Sequence, residues 1–87
     1  MANYIVTLHD STISDEIKNE PDYDRRQALM KNEANQMRHE MGLNGDIERV
    51  YGGAFFGFVL NTSEDEIEQI KTDPRVKYVE KDAGISY

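Results

Sequence analysis

The 87-residue sequence has no cysteine, so disulfide bonds, thiol nucleophiles and cysteine-ligated metal sites are all excluded. It also lacks an apolar run long enough for a membrane span or for the hydrophobic segment of a signal peptide. Internal repeats and low-complexity segments are absent, and the length accommodates one hydrophobic core. The sequence therefore predicts one small domain of low stability, because its core is small and no disulfide supports it.

Basic side chains are in the minority. There are 10 lysines and arginines against 17 aspartates and glutamates, which gives a formal charge of -7. The negative electrostatic potential of such a protein repels polyphosphates and anionic membranes, and it favours partners that present cations or helix N-termini. We therefore expect a protein partner, and neither nucleic acid nor a membrane.

No group of residues in the sequence predicts catalysis. His9 and His39 lie on different predicted elements, and no third group completes a triad. The acidic clusters around residues 15–16, 22–24 and 64–66 do not have the spacing of a calcium-binding loop. We predict that the chain is not an enzyme and that it has no cofactor and no metal site.

In the first part of the chain, successive side chains divide into two sets, as they do on the two faces of a β-strand. In residues 3–10, NYIVTLHD, one face carries Tyr4, Val6 and Leu8 and the other carries Ile5, Thr7 and His9. The polar segment 11–24 is broken by Pro21 and predicts a loop with room for one helical turn. Residues 23–41 then predict a helix with a core-facing stripe formed by Met30, Ala34, Met37 and Met41.

The second half of the chain predicts three more strands and a second helix. Residues 46–61 predict two strands joined around Gly52-Gly53, and a capping-box pattern at Ser63 and Glu66 begins a second helix. Residues 75–82 predict a last strand. The order strand, helix, strand, strand, helix, strand predicts an α+β, ferredoxin-like βαββαβ fold: a four-stranded antiparallel sheet with both helices on one face.

The stretch AFFGFVLN, residues 54–61, also resembles the third strand of RNA-recognition domains, whose aromatic residues stack on bases. That function requires Phe56 and Phe58 to face outward. However, Phe56, Phe58 and Leu60 form the bulkier face of the strand, so we expect them to lie beneath the helices. An RNA-recognition-like domain that binds single-stranded RNA remains the alternative.

The opposite face of the same strand is then left open. It carries Phe55, Gly57 and Val59, joined on the last strand by Tyr78 and by the carboxylates of Glu80 and Asp82. A solvated sheet face is the plain interpretation. Two aromatic rings beside a glycine favour a docking surface, formed by Phe55, Gly57, Val59 and Tyr78.

The end of the chain, DPRVKYVEKDAGISY, resembles the end of a subtilisin propeptide, with Asp-Pro, a short gap, Val-x-Tyr-Val-Glu-x-Asp and a tail. YIVTLHD is similar to the first strand of that family, and GFVLNTSEDEIEQI to its third strand and second helix. The resemblance extends to the free-standing subtilisin-family inhibitors of fungi and covers more than half of the chain. Residues 11–41 depart from the pattern, with a longer loop and an extended helix.

This resemblance implies a mechanism. The open sheet face of the domain, residues 1–82, would dock on two parallel helices of a subtilisin-like serine protease, with Glu80 and Asp82 capping the N-termini of those helices. The tail, residues 83–87, would lie extended in the active site. Its residues would fill successive subsites, ending with Tyr87 in the primary specificity pocket: Ala83, Gly84, Ile85, Ser86 and Tyr87.

The resemblance leaves two alternatives open. The chain is either a free-standing inhibitor, expected in the cytoplasm, or the cleaved propeptide of a secreted protease, acting as its intramolecular chaperone. The discriminating feature is whether a protease domain is encoded after Tyr87. In both cases we expect a monomer when the protein is not bound to a protease.

Overall fold

The computed structural model describes residues 1–82 and contains one antiparallel sheet and three α-helices. The strands are β1 (Ala2–Leu8), β2 (Asp46–Gly52), β3 (Phe56–Thr62) and β4 (Val76–Lys81). The helices are α1 (Asp15–Lys18), α2 (Tyr23–Glu40) and α3 (Glu64–Lys71). The strands lie side by side in the order β2-β3-β1-β4, so β1 and β3 are central. This arrangement confirms the predicted α+β, ferredoxin-like fold.

The segment predicted as a loop contributes more to the core than its polarity suggests. It begins within a 3-10 turn at Asp10–Thr12 and contains the short helix α1, which is the one helical turn that the sequence left room for. Ile13 and Ile17 are both buried in the main hydrophobic cluster. These two apolar side chains anchor an otherwise polar connection against the helices and the sheet.

Helix α2 has nearly the predicted bounds, and its buried stripe contains every predicted residue except Met41, the C-cap residue, which is half-buried. The side chain of Asp22 accepts a hydrogen bond from the main-chain nitrogen of Arg25, 3.2 Å away, and so caps the N-terminus. Met30, Ala34 and Met37 are buried. The helix ends before Gly42, whose φ of 67° lies in the left-handed region that glycine adopts at little cost.

The sheet buries the face that the sequence predicts. Phe58 is 0% exposed and packs in one cluster with Tyr4, Val6, Leu8 and Leu60. Phe56 is half-buried and packs against the same cluster. The bulkier face of β3 therefore lies beneath the helices. Among residues 1–82, no helix covers the opposite face of the sheet, here called the open face.

Side chains of α2 cover part of the outer edge of β2. The amide nitrogen of Gln27 donates to the carbonyl of Val50 at 3.1 Å, and the guanidinium of Arg26 donates to the carbonyl of Gly52 at 3.2 Å. Unpaired carbonyls on an edge strand invite pairing with another chain. Because these two are already bonded, this edge of the sheet is less available for strand addition.

Glu66 does only part of what a capping box predicts. Its main-chain nitrogen donates to the hydroxyl of Ser63 at 3.4 Å, as expected, but its carboxylate turns away from the helix. The carboxylate accepts hydrogen bonds from the main-chain nitrogens of Asn44 (2.7 Å) and Gly45 (3.1 Å) and from the hydroxyl of Thr62. Glu66 therefore ties α3 to the loop between α2 and β2.

These contacts also set the ionisation of Glu66. Burial raises the pKa of the Glu66 carboxyl, whereas the hydrogen bonds from Thr62, Asn44 and Gly45 and the charge of Arg38 lower it. The lowering effects together outweigh burial, so the pKa lies below its ordinary value of 4.5. The carboxylate is therefore ionised near neutral pH, where it accepts the hydrogen bonds that hold the loop.

Among residues 1–82, no helix is both long and apolar enough to cross a membrane. The same residues include no group of three or more histidine, aspartate or glutamate side chains placed to hold a metal ion.

Candidate functional site: the open face of the sheet

Strand register arranges the open face in rows that run across the sheet. The first row is Tyr51, Gly57, Thr7 and Tyr78, taken from β2, β3, β1 and β4 in turn. The second row is Arg49, Val59, Ile5 and Glu80. In the third row Asn61 lies between Asp46 and Asn3. The rows place an apolar centre between charged and aromatic side chains at the two sheet edges.

Gly57 and Val59 form the floor of this face. Both lie on the central strand β3; Gly57 is buried and Val59 is only 2% exposed. Ile5 and Arg49 flank Val59 in the register. A partner that docks here would therefore rest on the half-buried and exposed side chains around Gly57 and Val59 more than on these two residues themselves.

Gly57 is required by the backbone as well as by the shape of the face. A Cβ atom at this position would overlap the main-chain carbonyl oxygen of Val6 on the neighbouring strand and would also lie 3.3 Å from the Cα of Thr7. Close approach of one backbone to another is a common reason for glycine inside a strand. The floor of the open face is therefore flat at Gly57 because β1 and β3 approach each other there.

Aromatic rings stand at both ends of the first row. Tyr78 on β4 is 48% exposed. At the other end, Phe55 precedes β3 in the hairpin tip, and its ring stacks on that of Tyr51 with centroids 4.7 Å apart and planes tilted by 32°. The sequence prediction included Phe55 and Tyr78 but missed Tyr51. Extending the face assignment from β3 to β2 finds it, because Tyr51 pairs with Gly57.

The two carboxylates predicted to cap helices lie at or just after the outer strand β4. Glu80 is exposed and pairs with Ile5 in the register, so its side chain belongs to the second row. Asp82 follows the last residue of β4, and its main-chain nitrogen donates to the carbonyl of Asn3 at 2.8 Å. Both carboxylates thus lie near the end of β4, at the border of the open face. The predicted tail, residues 83–87, lies outside the described residues.

The described residues form a small α+β domain, and comparison with protein families gives its class. The model of the peptidase inhibitor I9 family matches residues 3–86, nearly the whole chain. The chain therefore belongs to the peptidase inhibitor I9 family, the family of subtilisin propeptides, whose domains inhibit subtilisin-like proteases. This confirms the resemblance found in the sequence. The family is one of inhibitors, which fits the prediction that the chain is not an enzyme.

A search of curated proteins gave no match to the chain.

Proposed function

We propose that the chain inhibits a subtilisin-like serine protease by docking its open face on the enzyme and placing residues 83–87 in the active site in a product-like manner. The observation that carries the proposal is the position of β4. This strand forms the border of the open face, carries Tyr78 and Glu80 on it, and leads directly into the tail. One strand thus joins both parts of the proposed binding surface.

The open face suits a rigid partner surface. Its floor at Gly57 and Val59 is built on the central strand β3, which is paired on both sides. Aromatic side chains at Tyr51, Phe55 and Tyr78 supply large contact areas with few rotatable bonds, and such residues often dominate binding energy. Little ordering is needed on this side before binding, which reduces the entropic cost.

The carboxylates at the border supply polar contacts. The first turn of any helix leaves main-chain N–H groups without intrahelical partners and carries the positive end of the helix dipole. We propose that Glu80 and Asp82 accept hydrogen bonds from two such N-termini on the protease surface. The formal charge of -7 favours the same encounter.

The tail completes the inhibitory contact. In the proposed complex it pairs with strands of the enzyme beside the cleft, so that main-chain hydrogen bonds supply affinity and side chains supply specificity. Tyr87 would occupy the primary specificity pocket, and Ala83, Gly84, Ile85 and Ser86 would occupy the preceding subsites.

The same contacts serve either form of the protein. A free-standing inhibitor blocks the enzyme, and a cleaved propeptide also stabilises it, because a domain that binds only the folded protease shifts the folding equilibrium towards the native state. In both forms we propose that the unbound domain is a monomer.

Titration of a subtilisin-type enzyme with the full chain tests this function. Hydrolysis of a small chromogenic substrate should fall with competitive kinetics, and a trypsin-like serine protease assayed in parallel should be unaffected. Activity that stays unchanged at high excess of the chain would contradict the proposal. If protease activity is unchanged, a salt-dependent gel shift with single-stranded RNA would support the RNA-binding alternative.

A further inference from the structure

Two hydrogen bonds link the exit point of the tail to the centre of the sheet. The main-chain nitrogen of Asp82 donates to the main-chain carbonyl of Asn3, 2.8 Å away. The side-chain amide of Asn61 donates to the side-chain carbonyl of Asn3, also at 2.8 Å. Asp82, Asn3 and Asn61 therefore form a continuous connection from the end of β4, through β1, to β3.

This connection lies at the end of an edge strand. Within residues 1–82, β4 pairs with β1 on one side only, and the final strand pair in its register is Tyr4 with Lys81. Ends of edge strands fray unless they are held. The hydrogen bond to Asn3 extends the pairing by one residue beyond the strand, to the last residue before the tail.

The direction in which the chain continues from Asp82 decides where the end of a short, extended tail lies. An extended chain of five residues spans at most about 17 Å, so a swing of about 15° at its base displaces its end by about 4 Å. A displacement of that size is enough to move an aromatic ring out of a side-chain pocket. In the proposed complex, where the tail is extended, the register of Asp82 therefore affects where Tyr87 lies relative to the docked face.

The Asn3–Asn61 pair is well placed to hold that register. The two residues are direct cross-strand partners on the open face, and both side chains are half-buried. A hydrogen bond between partly buried amides fixes both side chains in one orientation, whereas apolar residues at these positions would not. Fixing the side chain of Asn3 also restrains the main-chain carbonyl that receives Asp82.

We propose that Asn3 and Asn61 are positioning residues for the inhibitory tail. They hold the junction at Asp82 so that the open face and the tail act as two linked binding modules with a high effective concentration. This inference rests on the proposed function. It adds that part of the tail's affinity depends on two side chains that lie outside the tail.

A double-mutant cycle in the full chain tests the inference. The variants are Asn61→Ala, Tyr87→Ala and the combination, and the measured quantity is the inhibition constant for a subtilisin-type enzyme. We expect Asn61→Ala to weaken inhibition about tenfold with Tyr87 present but less than about twofold in the Tyr87→Ala background. Equal losses in both backgrounds would overturn the inference, because Asn61 would then act through the docked face alone.

The cycle separates failure of the inference from failure of the proposed function. If Tyr87→Ala alone leaves the inhibition constant unchanged, the ring of Tyr87 contributes nothing, and the placement of Tyr87 in the specificity pocket fails together with the inference, while inhibition by the open face remains. Asn35→Ala is the matched control, because this exposed asparagine lies on α2 and bonds only to the carbonyl of Lys31 among the contacts within residues 1–82. It should not change inhibition in either background.

Hydrogen exchange supplies a readout that does not depend on any protease. In the unbound full chain, Asn61→Ala should speed exchange of the Asp82 amide about tenfold, while the amide of Val6 in the central strand should be unaffected. Asn61→Val provides a second variant that removes the hydrogen bond and favours strand structure, in case the alanine variant folds poorly. Unchanged exchange at Asp82 in a folded variant would overturn the inference.

Discussion

The ring of Phe55 stacks on that of Tyr51 at a centroid distance of 4.7 Å, which fixes an aromatic pair at the hairpin end of the open face. Tyr51 pairs with Gly57, and the row continues through Thr7 to Tyr78 on the other side of the sheet. A flat floor therefore lies between two aromatic ends. A protease surface that contacts the floor would also meet these rings.

Phe55→Ala should weaken protease binding while leaving the fold intact. Phe55 is half-buried and lies outside the main hydrophobic cluster, so its loss removes contact area from the face and little from the core. Truncation of an aromatic anchor at an interface costs roughly 2 kcal/mol, about 30-fold in affinity. Inhibition titrations check the change, with Gln36→Ala on the exposed side of α2 as a control. Equal inhibition by Phe55→Ala and the wild type would remove the hairpin tip from the interface.

Replacing the border carboxylates with their amides should also weaken binding. The double variant Glu80→Gln with Asp82→Asn keeps the shape of both side chains but removes their charges. Each charge at a helix N-terminus contributes about 0.3–1 kcal/mol to binding. The control is Asp24→Asn with Glu68→Gln, which removes the same charge from exposed positions on α2 and α3. A similar loss in both double variants would indicate general electrostatic attraction. A loss of circular-dichroism signal in the first would make Glu80 and Asp82 structural.

Gly57→Ala should destabilise the domain itself. The added Cβ would overlap the carbonyl oxygen of Val6, so β1 and β3 would have to move apart where both are central. Overpacking of this kind costs roughly 1–3 kcal/mol. Urea unfolding followed by circular dichroism measures the change, and Gly53→Ala is the control because a Cβ there meets no atom within 4 Å. Equal midpoints for the two variants would contradict the close approach at Gly57.

Stability should fall as the solution becomes acidic. The pKa of Glu66 is lowered in the folded protein, so its contribution is complete above its ordinary value of 4.5 and is lost as the pH falls through the folded pKa. Hydrogen bonds from Arg75 lower the pKa of Asp73 in the same way, against the opposing effect of burial. Glu66 therefore makes the domain less stable below pH 4.5, and Asp73, whose ordinary pKa is 3.8, does so only below that lower pH.

The variant Glu66→Gln measures the contribution of Glu66 to this pH dependence separately from that of Asp73. At pH 7 the variant should lose about 1–2 kcal/mol, because charge-assisted hydrogen bonds to Asn44, Gly45 and Thr62 become neutral ones or are lost. Below the folded pKa of Glu66, the variant and the wild type should converge. Unfolding free energies measured from pH 3 to pH 7 check this. A constant difference across that range would show that Glu66 acts through packing and not through its charge.

The sequence was sufficient to assign the buried face because the two faces of β3 differ strongly in bulk. Phe58 and Leu60 bury far more apolar area than Gly57 and Val59, so hydrophobic burial decides the orientation of the whole strand. The helical stripe at Met30, Ala34 and Met37 was predictable for a similar reason. In both cases one local pattern determines which side of an element faces the core.

Contacts between distant segments were not predictable in this way. The pattern at Ser63 and Glu66 predicts a local capping box, but the carboxylate of Glu66 binds Asn44 and Gly45, 22 and 21 residues away in the chain. Likewise, the stacking of Tyr51 on Phe55 depends on the conformation of the hairpin tip. Local patterns give no information on which loop a side chain will meet after the elements have packed.

The central claim, that the chain blocks a subtilisin-like protease through its tail as well as its open face, is tested most directly by deleting Tyr87. The measurement is the inhibition constant of the full chain and of the shortened chain against the same subtilisin-type enzyme. Loss of the terminal ring from the specificity pocket should cost roughly 2–4 kcal/mol, which weakens inhibition by more than about 20-fold. Equal inhibition constants for the two chains would contradict the tail-in-cleft account.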